Sequence, residues 1–474
     1  MTPAADRARR PAAPGWTALA PVLLGAGLLV ASFLKSDWTR NDFERFDHLR
    51  LTFVYFGLFA VSAFGYALVF LERPALTARG VVAGGLGAGV LLLASFQVGS
   101  KDPFVYACIG KVWGTYHANP YAVAPAAFPA DPWQPYVQVL WARQPTPYGP
   151  LFLWQTRLVD WLADGRLFVA VWAYKLIAAA ALAAAIVIAA TLVAGIGAAA
   201  ASGAERWLHV ALLAWNPLLL FESAGNGHND ALMMLWLVAA IWAHCRGGRA
   251  RTWLAPALLA FGVWYKWYAL LFVPSFLIAV YRDGDVRAVR RWLLALLLFG
   301  GGGALLMAPL ADAAPVLAQR LVGHENLRQI FPLLLSPVLA PLLWGLDALG
   351  LVGGRWDLAW FDSIRLGLFA IVVLAVLASQ WRGRVDLVGA LCVMALAFVM
   401  LVVTVLWPWH VQVPVVLALL AGTRRWQALG VALTLLALLS YFFTFVWAAA
   451  LLVALAAAVW LVRRVQPVKD SGAI

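Results

Sequence analysis

The chain has 474 residues, 64% of them hydrophobic and 12% charged, with a formal net charge of +13 and a mean hydropathy of +0.84. Soluble globular domains carry roughly a quarter charged residues, so this chain lacks the polar coat that would keep it in water. Its basic residues fall in short clusters between apolar runs (Arg7/Arg9/Arg10, Arg73/Arg79, Arg246/Arg249/Arg251, Arg282/Arg287/Arg290/Arg291, Arg382/Arg384, Arg424/Arg425, Arg463/Arg464), which excludes a nucleic-acid binder and marks cytoplasmic loops instead.

A bilayer-spanning helix needs roughly 20 apolar residues. Apolar runs lie at 15–34, 51–71, 79–98, 166–194, 207–222, 230–245, 253–264, 266–281, 292–310, 364–381, 385–405, 411–422, 425–443 and 445–462. They predict an all-α polytopic membrane protein of about fourteen membrane-crossing helices. The first run follows a basic start but is too long for a signal-peptide core and has no convincing A-x-A cleavage site. We expect it to be a retained first span. Starting the chain in the cytoplasm and alternating sides puts every basic cluster inside, with both termini cytoplasmic in a plasma or inner membrane.

Runs 253–264 and 266–281 are too short to cross upright, yet basic loops flank the pair on both sides. A hairpin of two short helices with Trp264-Tyr265-Lys266-Trp267 at its tip satisfies both constraints. Two long segments fall outside, 99–165 and 311–363, the second holding amphipathic pieces such as Leu333–Trp344. Loops of that length are usually functional or partly structured, and we expect surface-lying helices there, anchored by Trp and Tyr. The chain then divides into three N-terminal spans (1–98), an extracytoplasmic loop (99–165), a transmembrane core (166–310) and C-terminal spans with the second outer loop (311–474). Cys108, Cys245 and Cys392 are far apart and form no CxxC pair, so neither a disulfide framework nor a zinc site is indicated.

The residues able to do chemistry gather on the outer side. Asp102 opens the first long loop, within Ser100-Lys101-Asp102-Pro103-Phe104-Val105-Tyr106; an acid at a helix end can be merely solvated, or a general base if walled off from water. Asn119-Pro120-Tyr121 and Pro145-Thr146-Pro147-Tyr148-Gly149-Pro150 are turn formers, which would fix a loop presenting Tyr148 and Arg143. The densest group is Trp215-Asn216-Pro217, Glu222 and Gly225-Asn226-Gly227-His228-Asn229-Asp230. Helix capping by Asn229 or Asp230 would explain part of it. Capping leaves unexplained an acid, a histidine and two asparagines at one surface, where a sugar would use them. Lys266 either snorkels to the interface or meets a lipid phosphate. His324, Arg328 and Trp407-Pro408-Trp409-His410 also face outward by the alternation.

At these residues the chain resembles the GT-C superfamily of polyprenyl-phosphate-sugar-dependent glycosyltransferases, and within it the alpha-1,6-mannopyranosyltransferases that use polyprenol-phosphate mannose. The likeness rests on Asp102-x-x-x-Tyr106, Asn119-Pro120-Tyr121, Pro147-Tyr148-Gly149-Pro150-Leu151, and Asn216-Pro217-Leu218 leading to Gly227-His228-Asn229-Asp230, in that order over roughly residues 95–280. The resemblance implies a GT-C bundle, conserved in its core and variable in its later spans. It implies Asp102 as the catalytic base and inversion from a beta-linked carrier sugar to an alpha product. Tyr106, Tyr148, Glu222, His228, Asn229 and Asp230 would bind substrate or orient groups, and Arg143 and Lys266 would bind phosphate. The expected partners are the polyprenyl-phosphate sugar, a glycan or glycolipid acceptor and the bilayer, without nucleic acid. Monophosphate users on related folds generally need no metal, so neither metal nor cofactor is expected. The chain departs from the pattern in placing two spans before the one that leads to Asp102. A transporter or flippase of lipid-linked sugars is the alternative; it predicts internal repeats and midplane polar sites, whereas the polar residues here crowd one face.

Overall fold

The computed structural model describes residues 19–33, 49–96, 99–196, 203–316, 349–350, 358–403 and 407–441. The run predicted at 445–462, the piece Leu333–Trp344, and His324 and Arg328 lie outside the described residues. Among the described residues the chain is helical, with no β-strand. Three helical stretches are long and apolar enough to cross a bilayer: Phe53–Glu72, Leu167–Val193 and Val286–Val316. Shorter apolar helices accompany them, among them Ala78–Ala94, Asp230–Cys245 and Leu387–Leu401. Only 11% of the best window in Val286–Val316 is buried. A face that apolar would aggregate in water, so its natural surroundings are lipid. The helices are those of a membrane protein.

At the N-terminal end, α1 (Leu19–Phe33) packs against both α2 (Leu49–Glu72) and α3 (Ala78–Ala94). Thr77 starts α3 by accepting a hydrogen bond from Gly80 N at 3.2 Å, an N-cap that satisfies a backbone donor the helix itself cannot.

The long segment after α3 is folded. It holds α4 (Asp102–Gly114), the one-turn α5 (Val139–Ala142) and α6 (Pro150–Ala163), with 3-10 turns at Pro125–Ala127 and Gln134–Tyr136. Helix α6 leaves Leu158, Trp161 and Leu162 exposed, whereas α4 is buried from Pro103 to Trp113. α6 thus keeps an exposed apolar face, whereas α4 is a helix packed inside the protein. It is covered by α6, by the next helix, α7 (Leu167–Ile196), and by the loop that follows it.

Polar contacts lock that loop. Lys111 pairs with Asp131, whose carboxylate also accepts the Tyr116 hydroxyl at 2.5 Å and Trp133 N at 2.7 Å. Tyr116 stacks on Phe128 at 3.9 Å, and the Lys111 ammonium lies 4.3 Å from the Trp133 ring centroid. Burial disfavours the charged Asp131, but Lys111, Tyr116 and the Trp133 amide outweigh it and hold the carboxyl below the usual range. Its contribution to stability is therefore fully present above about pH 4 and is lost as pH falls through the lowered value. Asp131→Asn should cost about 2–3 kcal/mol, read as thermal unfolding in detergent, and should flatten the acid limb of stability against pH.

Helices α8 (Gly203–Ala214), α9 (Pro217–Leu220), α10 (Asp230–Cys245), α11 (Ala255–Tyr265), α12 (Val273–Asp283) and α13 (Val286–Ala304) follow. After them come α14 (Leu358–Trp381), α15 (Leu387–Leu401), α16 (Gln412–Leu420) and α17 (Arg424–Ser440). The course of the chain is read from the two ends of α10, roughly 24 Å apart at 1.5 Å per residue. At one end Asp230 Oδ1 meets Lys266 Nζ at 2.7 Å. At the other, His244 Nε2 and Arg251 Nη1 meet Asp283 Oδ2 at 3.2 and 3.3 Å. So α11 runs along α10 to the Asp230 end, the chain turns at Lys266, and α12 returns to the His244 end. The basic residues Arg251 and Arg282 flank that second end, well separated from Asp230.

Candidate active site

Asp102 is the first residue of α4, with Pro103 preset for the helical first turn. Ser100 Oγ accepts from Asp102 N at 3.2 Å. One turn along the helix, the Tyr106 hydroxyl donates to Asp102 Oδ2 at 3.1 Å, the i, i+4 spacing that brings two side chains onto one face. Tyr106 itself is 1% exposed and sits edge-on to Tyr148, Phe152 and Tyr174. It braces Asp102 from inside the protein.

The second part of the site comes from the chain between α8 and α10. Asn216 caps α9, accepting from Leu218 N and Leu219 N at 3.1 Å, with Pro217 following it. The helix then widens into a π-turn at Phe221–Gly225 that carries Glu222; such turns are frequent at functional sites. Gly227 has φ +69, and an added Cβ there would sit 3.0 Å from Lys175 N. Only glycine allows that turn, which delivers His228 into the cluster. Lys175 is fully buried and donates to Leu92 O at 3.0 Å and to Ser95 O, tying α7 to the end of α3 just before Ser100.

His228 joins the two parts. Its Nδ1 lies 2.7 Å from Glu222 Oε2, and its Nε2 lies 2.9 Å from Ser100 Oγ and 3.7 Å from Asp102 Oδ2. The Trp409 ring stacks on the imidazole at 4.2 Å. Glu222 also accepts from Asn226 Nδ2 at 3.0 Å and from the Tyr441 hydroxyl. Glu222 and His228 have no exposed surface, whereas the Asp102 side chain keeps 16%. Burial pushes the Asp102 carboxyl above its ordinary range, although His228, Tyr106 and Lys266 pull it back.

The third part is the chain break at Lys266. Its extended backbone (φ −139, ψ 117) separates α11 from the 3-10 turn Trp267–Phe272. The Lys266 ammonium pairs with Asp230 and lies 5.5 Å from the Tyr148 ring centroid. His410 completes this side, close enough to Asp230 and Lys266 to interact with both charges. Asn229 occupies the N-cap position of α10 but makes no capping bond, and Asp230 is spent on Lys266. Capping therefore does not account for these two residues.

The loop carrying Tyr148 is pinned to the same break. Gly149 N donates to Tyr265 O at 3.1 Å, and Trp267 Nε1 donates to Pro147 O at 3.1 Å. A Cβ on Gly149 would overlap the Trp264 carbonyl, a backbone group that cannot rotate aside. Gly149→Ala should therefore lower stability by about 1–3 kcal/mol. It should also shift Lys266, measured as a lower unfolding temperature together with weaker donor binding.

Asp102, Tyr106, Tyr148, Glu222, His228, Asp230 and Lys266 thus meet at one end of the helices, with Asn229 beside them. Arg143 is exposed at the C-terminal cap of α5, and none of these contacts includes it. Trp409 and His410, from a segment singled out in the sequence, take part. Tyr441 does too, though no motif or spacing marks it. Among the described residues no three His, Cys, Asp or Glu side chains are placed to hold one metal ion.

Residues 15–282 of the 474 match the family model described as alpha-(1->6)-mannopyranosyltransferase, N-terminal domain. The chain belongs to this mannopyranosyltransferase family. Every site residue from Asp102 to Lys266 lies within the matched segment, whereas Trp409, His410 and Tyr441 lie beyond it. An alpha-(1->6)-mannopyranosyltransferase of Mycobacterium tuberculosis is 29% identical over 163 residues, covering 33% of this chain and 26% of the relative. A Mycolicibacterium smegmatis protein named "Probable alpha-(1->6)-mannopyranosyltransferase" is 25% identical over 384 residues, covering 73% of this chain and 66% of the relative. The matches thus span 26% and 66% of the lengths of these two curated relatives.

Proposed function

We propose that this protein is a membrane glycosyltransferase that moves mannose from a polyprenyl-phosphate carrier to a glycan or glycolipid acceptor on the extracytoplasmic side, inverting the anomeric carbon. The observation that carries the reading is a partly open carboxylate, Asp102, held in one cluster with a cation, Lys266, at one end of an apolar helical bundle. Membership of the mannopyranosyltransferase family supports mannose as the sugar.

The chemistry needs few groups. The acceptor hydroxyl attacks C1 as Asp102 removes its proton, and the C1–O bond to phosphate breaks with its electron pair leaving on the phosphate. Attack from the opposite face turns a beta-linked donor into an alpha product. Phosphate is a good leaving group and needs no acid, so one carboxylate suffices, unlike the pair used in glycoside hydrolysis. Lys266 offsets the charge that builds on the departing phosphate. Tyr148, Asn229 and Asp230 line the sugar's side of the cluster, and the exposed Arg143 takes the outer part of the carrier headgroup. The carrier's apolar tail is the reason such a site belongs at the end of membrane helices.

The test is transfer of radiolabelled mannose from polyprenyl-phosphate mannose to an oligomannoside by the purified protein in detergent. The expected product carries label released by an alpha-mannosidase. Label that stays on the carrier while other polyprenyl-phosphate sugars are transferred would overturn mannose as the sugar. Failure with every such carrier would overturn the transferase.

A further inference from the structure

Glu222 and His228 are fully buried, yet they are aimed at the one carboxylate of the cluster that keeps an open edge. The imidazole is held on both faces of its chemistry. Nδ1 lies against Glu222 at 2.7 Å, while Nε2 lies 2.9 Å from Ser100 Oγ and 3.7 Å from Asp102 Oδ2. Trp409 fixes the ring plane, and Asn226 and the Tyr441 hydroxyl engage the two oxygens of Glu222. Nδ1 meets Glu222 as a charge partner without a hydrogen bond, so the buried carboxylate favours an imidazolium whose Nε2 edge faces Ser100 and Asp102. No substrate touches a residue without accessible surface. This pair therefore acts through Asp102, the arrangement in which an acid orients a histidine that in turn serves the reacting group.

We propose that Glu222 and His228 are positioning residues whose paired charges hold Asp102 as an ionised carboxylate for attack, a role that rests on Asp102 being the base. The acceptor O–H bond breaks, its electron pair forms the new bond to C1, and the proton goes to the Asp102 carboxylate. Once product leaves, Asp102 gives that proton to water at its open edge, and the His228 imidazolium 3.7 Å away favours its return to the anion. The titratable groups facing His228 are Asp102 from α4, Glu222 from the π-turn, Asp230 from α10 and His410 from the turn before α16; Lys266 faces Asp230, and Tyr441 faces Glu222.

The experiment is steady-state transfer against pH by Glu222→Gln beside the wild type, with unfolding temperature measured on the same samples. Glu222→Gln keeps the shape but removes the charge that stabilises the imidazolium. The expected result is a kcat about 10–100-fold lower near neutral pH, with KM for donor and acceptor unchanged. The deficit should narrow as pH rises, because Asp102 then ionises without the imidazolium beside it. Glu222→Asp, which retains the charge, should recover part of the loss. A raised KM at constant kcat would put Glu222 on the substrate, and a pH-independent loss that follows a lower unfolding temperature would make the pair structural; either overturns the proposal. Should Glu222→Gln not fold, Tyr441→Phe removes one hydrogen bond from Glu222 without stranding a charge. The same pH-dependent fall in kcat, smaller in size, is then expected, and an unchanged kcat overturns the pair's role. The base reading itself fails separately, by retained transfer in Asp102→Asn.

Discussion

Asp102→Asn should abolish mannose transfer while leaving the fold intact. General-base catalysis contributes about 10²–10⁴-fold, so the rate should fall by about two to four decades. The change is isosteric, and the amide oxygen can still accept the Tyr106 hydroxyl that now lies 3.1 Å from Oδ2. Unfolding in detergent should therefore match the wild type. Donor binding, followed by protection of the protein against heat, should be retained, because Lys266 and Tyr148 are untouched. A variant that folds, binds donor and transfers at near the wild-type rate would remove Asp102 from the chemistry. Residual activity should also lose the rise with pH that a carboxylate base imposes as it ionises, since an amide has no proton to lose.

Lys266→Met should have the second-largest effect, and on two properties at once. Lys266 and Asp230 are 11% and 5% exposed and 2.7 Å apart. Removing one partner of a buried pair leaves the other uncompensated, at a cost of about 3–5 kcal/mol. Stability should fall accordingly, and donor affinity with it under the proposed role of Lys266 as the phosphate's cation. The double variant Lys266→Met/Asp230→Asn separates the two effects. It carries no stranded charge and should regain most of the stability, yet it should remain inactive. Recovery of transfer along with stability would show that Lys266 is a structural partner of Asp230 and not a phosphate ligand. Lys266→Arg should keep the pairing charge but place it differently in the narrow turn between α11 and the 3-10 helix, with intermediate loss on both measures.

Much of this protein is legible without coordinates, and the reason lies in the solvent. In lipid every backbone donor and acceptor must be satisfied within its own segment, so a helix is recognised from local composition alone. Hence the apolar runs, the short pair around Lys266 and the clusters of arginine between runs all emerge from a linear reading. Grouping Asp102, His228, Asp230 and Lys266 also needs little more than alternation, because parity decides which end of a span a loop occupies. Glycine and proline at 147–150 and 216–217 mark turns for local steric reasons.

What the chain alone leaves open is which side chains meet. Once helices are in lipid, their pairing is driven by shape and by scattered polar contacts, not by hydrophobic burial, and hydropathy carries no trace of it. Glu222 and Tyr441 meet across 219 positions, and Trp409 reaches His228 from a distant turn. Only the packing makes α4 a core helix, leaves Asp102 a partly open edge while Glu222 is closed off, and sets Arg143 apart from the cluster. Sequence determined the class of the molecule and the residues at one end of its helices. Tertiary structure decided their order of contact, because burial and reach belong to pairs of helices and not to any one of them.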